Sequence, residues 1–213
     1  MMVADVFVVF DTVQFNPRHE ENRAKIKGPN GLQWLTVPVV KSGRDQVIVD
    51  TQLRVDEAWR EKAMLTLQGF YGKSPNYRDH ESVVRSLLEA EYETLTELDI
   101  ASWQPALEPL GISCRFVRAS ELPVTGHGPD LLLDLCQHVG ATTYLSGAFG
   151  AEYLDVAKFE SRGVDVRFHG YDYPSYDQRF GEFAPYASYL DLWFNAGLDR
   201  EFVASGGRVT REP

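Results

Sequence analysis

The sequence predicts an α/β fold: a mostly parallel sheet with helices on both faces, Rossmann-like or nucleotidyltransferase-like, with a small β/helical insertion. Three observations lead there. Val6-Phe7-Val8-Val9-Phe10 is a continuous β-branched and aromatic run, the composition of a strand buried on both faces. In the second half such runs alternate with amphipathic segments of helix length, so that crossovers are long enough for parallel pairing. At 213 residues and 44% hydrophobic content, the chain can bury a full core without a metal or disulfide staple.

The first strand ends at Asp11, and a polar segment follows from Asn16 to Asn30. Gly28-Pro29-Asn30-Gly31 is a turn signal. Gln33 to Val40 reads as a strand, with Pro38 marking an edge or an end, and Val47-Ile48-Val49 as a third short strand. Asp56 is placed to cap a helix running to about Gly69. Helical spacing resumes after Pro75, from about Asp79 to Leu98, through Val83, Leu87, Leu88, Tyr92 and Leu95. Then come a strand at Cys114–Val117, a helix at Pro129–Val139, a strand at Thr142–Leu145, a helix at about Ala151–Arg162 and a strand at Val164–Phe168. Ser188 to Asn195 reads as a last helix, stopped by Gly197. The expected organisation is one domain over 1–213, with the insertion within 30–110.

A formal charge of −10 disfavours non-specific binding to nucleic acid or anionic lipid. No apolar run reaches transmembrane length, and the start lacks the pattern of a signal peptide. A cytoplasmic protein is expected, with no membrane partner. Cys114 and Cys136 have no metal or disulfide spacing and are expected to be reduced and mostly buried. The histidines show no zinc spacing, so no metal site is expected. Trp34, Trp59, Trp103 and Trp193 are read as core.

Ligands of open parallel sheets bind beyond the carboxyl ends of the strands. Asp11 and Gln14, just after the first strand, are candidates to orient a hydroxyl or amine. Ser146, Gly147 and Gly150 follow another strand, where glycine lets backbone N–H groups face an anion, or simply relieves crowding in a tight turn. Asn22, Arg23, Lys25 and Lys27 form a candidate cationic clamp for phosphate or carboxylate. His19 and His169 are the histidines placed for acid–base work. Tyr176 and Gln178 sit in a run of aromatic and polar residues that suits an acceptor pocket. The expected site is one cleft at Asp11 and Ser146, bordered by the Arg23 and Tyr176–Gln178 segments.

Several blocks together resemble one family. They are Ala4-Asp5-Val6-Phe7-Val8 with Asp11-Thr12-Val13-Gln14-Phe15; Asn22-Arg23-Ala24-Lys25-Ile26; and Asn30-Gly31-Leu32-Gln33-Trp34-Leu35-Thr36-Val37-Pro38-Val39. Further on come Tyr144-Leu145-Ser146-Gly147 with Tyr153-Leu154, Phe159 before Gly163-Val164, and Tyr176-Asp177-Gln178 through Phe183-Ala184-Pro185 to Ser188-Tyr189-Leu190-Asp191 and Phe194-Asn195-Ala196-Gly197. In this order and spacing the chain resembles the WbqC-like family over nearly its whole length. The resemblance implies a protein encoded among genes for O-antigen, other surface glycans or specialised metabolites. It carries no settled catalytic mechanism. The family pattern also has a His-Gln-Pro-x-Tyr-x-Pro-like block ahead of the Ala-Asp block. This chain begins after it, so either its start is truncated or this member has lost that element.

Two functional classes follow. One is a transferase or ligase acting on a nucleotide-activated or phosphorylated small molecule, with ATP or another activated donor as co-substrate. There Asp11, Gln14 and His19 are the catalytic candidates. Asn22, Arg23, Lys25, Ser146, Gly147, Gly150, Tyr153, Tyr176 and Gln178 are the substrate-binding ones. The other is a non-catalytic module that binds a small molecule or a pathway enzyme. A homo-oligomer is compatible with either.

Overall fold

The structure, a computed structural model, describes residues 1–54 and 58–212. In chain order its elements are β1 (Val6–Val9), β2 (Arg23–Gly28), β3 (Gly31–Thr36), α1 (Trp59–Tyr71), α2 (Tyr77–Glu89) and α3 (Leu95–Leu107). They continue with β4 (Arg115–Arg118), α4 (Gly128–Val139), β5 (Thr143–Gly147), α5 (Val156–Ser161), β6 (Asp165–Tyr171), α6 (Tyr189–Asn195), α7 (Arg200–Ser205) and β7 (Gly207–Thr210). The fold is α/β. Its ladders are three rather than one: β1–β4, β2–β3 and β5–β6–β7. The expected Asp56 cap lies outside the described residues. Among those residues no helix is long and apolar enough to cross a membrane.

The chain divides into two compact units, each assembled from separated segments. Unit 1 comprises Met1–Asp11, Gly111–Pro174 and Glu201–Pro213. Here β1 pairs parallel with β4, and β5 parallel with β6, whose helix-length crossover permits it. β7, unforeseen in the sequence, adds antiparallel to β6 and sets Arg208 opposite Gly170. Phe159, Val164, Val166 and Phe168 pack with Leu133 and Cys136 of α4. A second cluster joins Leu131 and Leu135 to Val8 and Phe10. The helix expected over 151–162 is broken. A 3-10 turn spans Ala148–Glu152, and α5 starts anew where the Asp155 carboxylate accepts from the Lys158 N–H at 3.1 Å.

Unit 2 comprises Thr12–Leu110 and Ser175–Arg200. β2 and β3 form an antiparallel hairpin closing at Gly28 and Gly31. Ile26 faces the core, which also takes Leu67, Tyr71, Leu95 and Phe194, all fully buried. The single helix expected over 79–98 is two helices. α2 stops where Ala90 turns extended, and a capping box starts α3. In that box the Glu97 N–H donates to Thr94 Oγ1 while Glu97 accepts from the Thr94 N–H. Val47-Ile48-Val49 is not a strand; Val47 makes only an isolated bridge with Gln14.

Candidate functional site

In unit 1, Asp11 follows β1 and is buried at 1% exposure. Its Oδ1 accepts from the Ser120 N–H at 3.0 Å and its Oδ2 from the Ser120 hydroxyl at 2.7 Å. Because Ser120 lies just beyond β4, the carboxylate ties together the ends of two parallel strands. Both of its oxygens are already engaged, which is the geometry of a positioning group.

Ser146 and Gly147 end β5, and Gly147 pairs with His169 of β6. Ser146 is buried and donates to the Gly147 carbonyl at 3.0 Å. A Cβ at position 150 would collide with the Ser146 hydroxyl, so only glycine lets the 3-10 turn pass this close. For Gly150 the crowding reading of the turn is therefore sufficient. Tyr153 is exposed.

A cavity of about 410 Å³ opens at the ends of β5 and β6. Ser146, Gly147, His169, Tyr171 and Arg208 line it, with the apolar Val203 and Val209. Asp11, Gly150 and Tyr153 are not among its lining residues. The His169 ring lies parallel to Tyr171, centroids 6.2 Å apart. The Arg208 guanidinium pairs with Asp172 and lies along Gly170, where a Cβ would crowd it. Arg208 was invisible as a candidate because β7 was.

In unit 2 the basic segment is a strand. Arg23 and Lys25 alternate with core-facing Ala24 and Ile26, so both project on the face carrying Trp34. The Arg23 guanidinium carbon is 4.0 Å from the Trp34 ring centroid, and the guanidinium donates to the carbonyls of His19 and Arg18. Lys25 Nζ is 5.0 Å from the same ring, 5.7 Å from that of Tyr186 and 3.5 Å from Glu20. Trp34 is thus a partly exposed platform for two cations rather than core. Trp59 and Trp193 are buried as expected. Lys27 leaves the expected clamp: it is buried, and its ammonium donates to the carbonyls of Gly181 and Glu182.

The other expected residues of this unit are spread out. Gln14 is exposed, its amide donating to the Arg44 carbonyl at 2.6 Å. His19 is exposed as well. The Tyr176 hydroxyl donates to Asp191 Oδ1 at 2.8 Å. The Gln178 amide brackets Ala184, accepting its N–H at 2.8 Å and donating to its carbonyl at 3.2 Å. Both side chains brace the loop ahead of α6.

A second cavity, of about 370 Å³, lies within unit 2. Asn22 and Arg23 line it, together with Glu21, Asp99, Trp103 and Tyr189. Burial, and secondarily the Glu21 carboxylate, pushes Asp99 up to about 8, so it is largely protonated at neutral pH. The sequence offered no sign of Asp99, which sits in an ordinary helical stretch.

The WbqC-like protein family model matches residues 1–201. The chain is 30% identical to "Uncharacterized protein Rv1507c" of Mycobacterium tuberculosis (strain ATCC 25618 / H37Rv) over 197 residues, covering 92% of this chain and 85% of that protein. No solved structure gives a significant match.

Proposed function

The chain belongs to the WbqC-like protein family, and on that footing we propose that it is a transferase or ligase acting on a nucleotide-activated or phosphorylated small molecule. The pathway we infer is surface-glycan or specialised-metabolite biosynthesis in the cytoplasm. The observation that carries this reading is the unit-1 cavity, where His169 and Arg208 border the Ser146–Gly147 turn beyond two parallel strands. Arg208 supplies fixed positive charge for a phosphoryl or carboxylate oxygen. His169 brings an imidazole to the same wall for general acid or base work. ATP or another activated donor is the co-substrate such a site takes. The Arg23–Lys25–Trp34 surface supports anion or aromatic recognition in unit 2.

Thermal-shift titration of the full chain with ATP, nucleotide sugars and sugar phosphates tests the reading. Ligand at 100 times its Kd adds ~2.7 kcal/mol of stability. Arg208→Ala should abolish that shift while the unliganded melting temperature stays close to wild type. If no phosphorylated compound stabilises the protein, the reading fails.

The second reading, a non-catalytic binding module, draws on Asp11, whose two oxygens are both taken up by Ser120. Under it, ligands bind with no product formed from any donor and acceptor pair.

A further inference from the structure

We propose that the unit-2 cavity is a binding site for an amine, an ammonium head on an apolar or aromatic stem, with Asp99 and Glu21 receiving the head. At about 370 Å³ it has the size of a small-molecule site. Its walls are largely apolar and aromatic, with Trp59, Leu67, Leu98 and Trp103 among them. Three polar side chains on those walls, Glu21, Asn22 and Asp99, carry acceptors lacking donors. Among the described residues the Asp99 carboxyl has no hydrogen bond or ion pair. Glu21 Oε2 and Asn22 Oδ1 are buried oxygens without a partner.

Asn22 gives this its direction. The residue is 8% exposed; one of its two amide N–H groups donates to the Val37 carbonyl at 2.8 Å, while its buried oxygen has no partner. Arg23 also lines the cavity, yet its guanidinium is held over Trp34 and donates to two backbone carbonyls. The walls therefore present oxygen acceptors and acidic groups in an apolar setting. Leaving such acceptors unmet is unfavourable, and a cation carrying several N–H donors meets them at once. The Glu21 carboxylate disfavours an anionic head.

An ammonium held by Asp99 favours its ionised form, so amine binding expels a proton at neutral pH. The charged or titratable groups on the same walls are Glu20, Glu21, Arg23 and Tyr189. The site uses unit-2 residues only and is independent of the reading given for the unit-1 cavity.

Phenethylamine, 2-phenylethanol and phenylacetate share a ring and stem and differ in the head, so they test the proposal on the full chain. Calorimetry and thermal shift should show binding by the amine alone. Asp99→Asn should weaken it at least tenfold. At pH 7 the binding enthalpy should differ between phosphate and Tris buffers, because a proton is released. The proposal is overturned if phenethylamine does not bind, if 2-phenylethanol binds as tightly, or if Asp99→Asn binds like wild type. Should that variant fail to fold, the buffer comparison on wild type decides: equal enthalpies in the two buffers overturn the proposal.

Discussion

The Tyr71 hydroxyl donates to Asp191 Oδ2 at 2.6 Å, joining α1 to α6 at a carboxylate with no solvent exposure. Asp191 also accepts from the Tyr176 hydroxyl at 2.8 Å and from the Asn195 amide at 3.2 Å. Tyr71 in turn accepts from the Lys27 N–H at 2.9 Å, so β2 is tied into the same network. Burial, with Asp191 beside it, raises the Tyr71 hydroxyl far above its ordinary range and keeps it a donor. Replacing Tyr71 with Phe removes the bond to Asp191 and the acceptor of the Lys27 N–H, and should cost at least about 1.5–3 kcal/mol. Asp191→Ala strands two tyrosine hydroxyls and should cost more, about 2–6 kcal/mol at ~1–3 per unmet group. Urea denaturation of the two variants measures both.

Asp99 sets a pH dependence of stability. Its folded value of about 8 lies above the unfolded carboxylate range, so the folded state binds more protons. Stability is then greatest below the unfolded value near pH 4, declines as pH rises, and levels off above about 8. Asp99→Asn should flatten that decline and leave the protein more stable than wild type at pH 8. Thermal melts at intervals from pH 5 to 9 would show it, and parallel curves for the two proteins would contradict it.

Asp11 is expected to matter through Ser120. Ser120→Ala leaves Asp11 Oδ2 buried without its hydroxyl donor, at a cost of about 1–3 kcal/mol. Chemical denaturation measures the loss. Refolded at low temperature, the variant should retain ligand binding, because Asp11 does not line the cavity at Ser146.

The capping box at the start of α3 has a separable effect. Thr94→Ala should lower stability by about 1 kcal/mol, and Thr94→Ser should restore most of it. Circular dichroism melts of the three proteins suffice.

Both cysteines are free thiols, Cys136 buried and Cys114 half-buried. Burial pushes the Cys136 thiol up to about 11, which suppresses its thiolate at neutral pH. A disulfide-exchange reagent should modify Cys114 first in the native protein, and Cys136 only on unfolding. Cys114→Ser should then leave almost no native reactivity.

What could be read from the sequence were the strands whose burial is written in their composition. Val6–Val9 is apolar on both faces, the strands at Thr143 and Asp165 carry an apolar face in Leu145, Val166 and Phe168, and parallel pairing of the latter two follows from the intervening length. β2 was missed because a hairpin strand with one dry face shows only Ala24 and Ile26, and Lys27 looks solvated although it is buried on backbone carbonyls. β7 was missed for a similar reason, being exposed along its length. The break after α2 lay in capping chemistry at Thr94 and Glu97 rather than in apolar spacing, which runs through it. Ser146 and Gly147 are legible as candidates because strand ends are marked in sequence, although the cavity they line does not include Asp11. His169 follows a strand end as well, whereas Arg208 and Asp99 reach their cavities only through tertiary packing.

The interleaving of the two units bears on how the chain leaves the ribosome. Asp191 and Phe194, which close the interior around Tyr71, are translated about 120 positions after it. The strand that finishes the β5–β6 ladder comes later still. Neither body can complete itself while synthesis is under way. The nascent polypeptide must hold unsealed apolar surface until the last stretch emerges, and a premature stop near residue 180 should yield an aggregating product, not a smaller working protein.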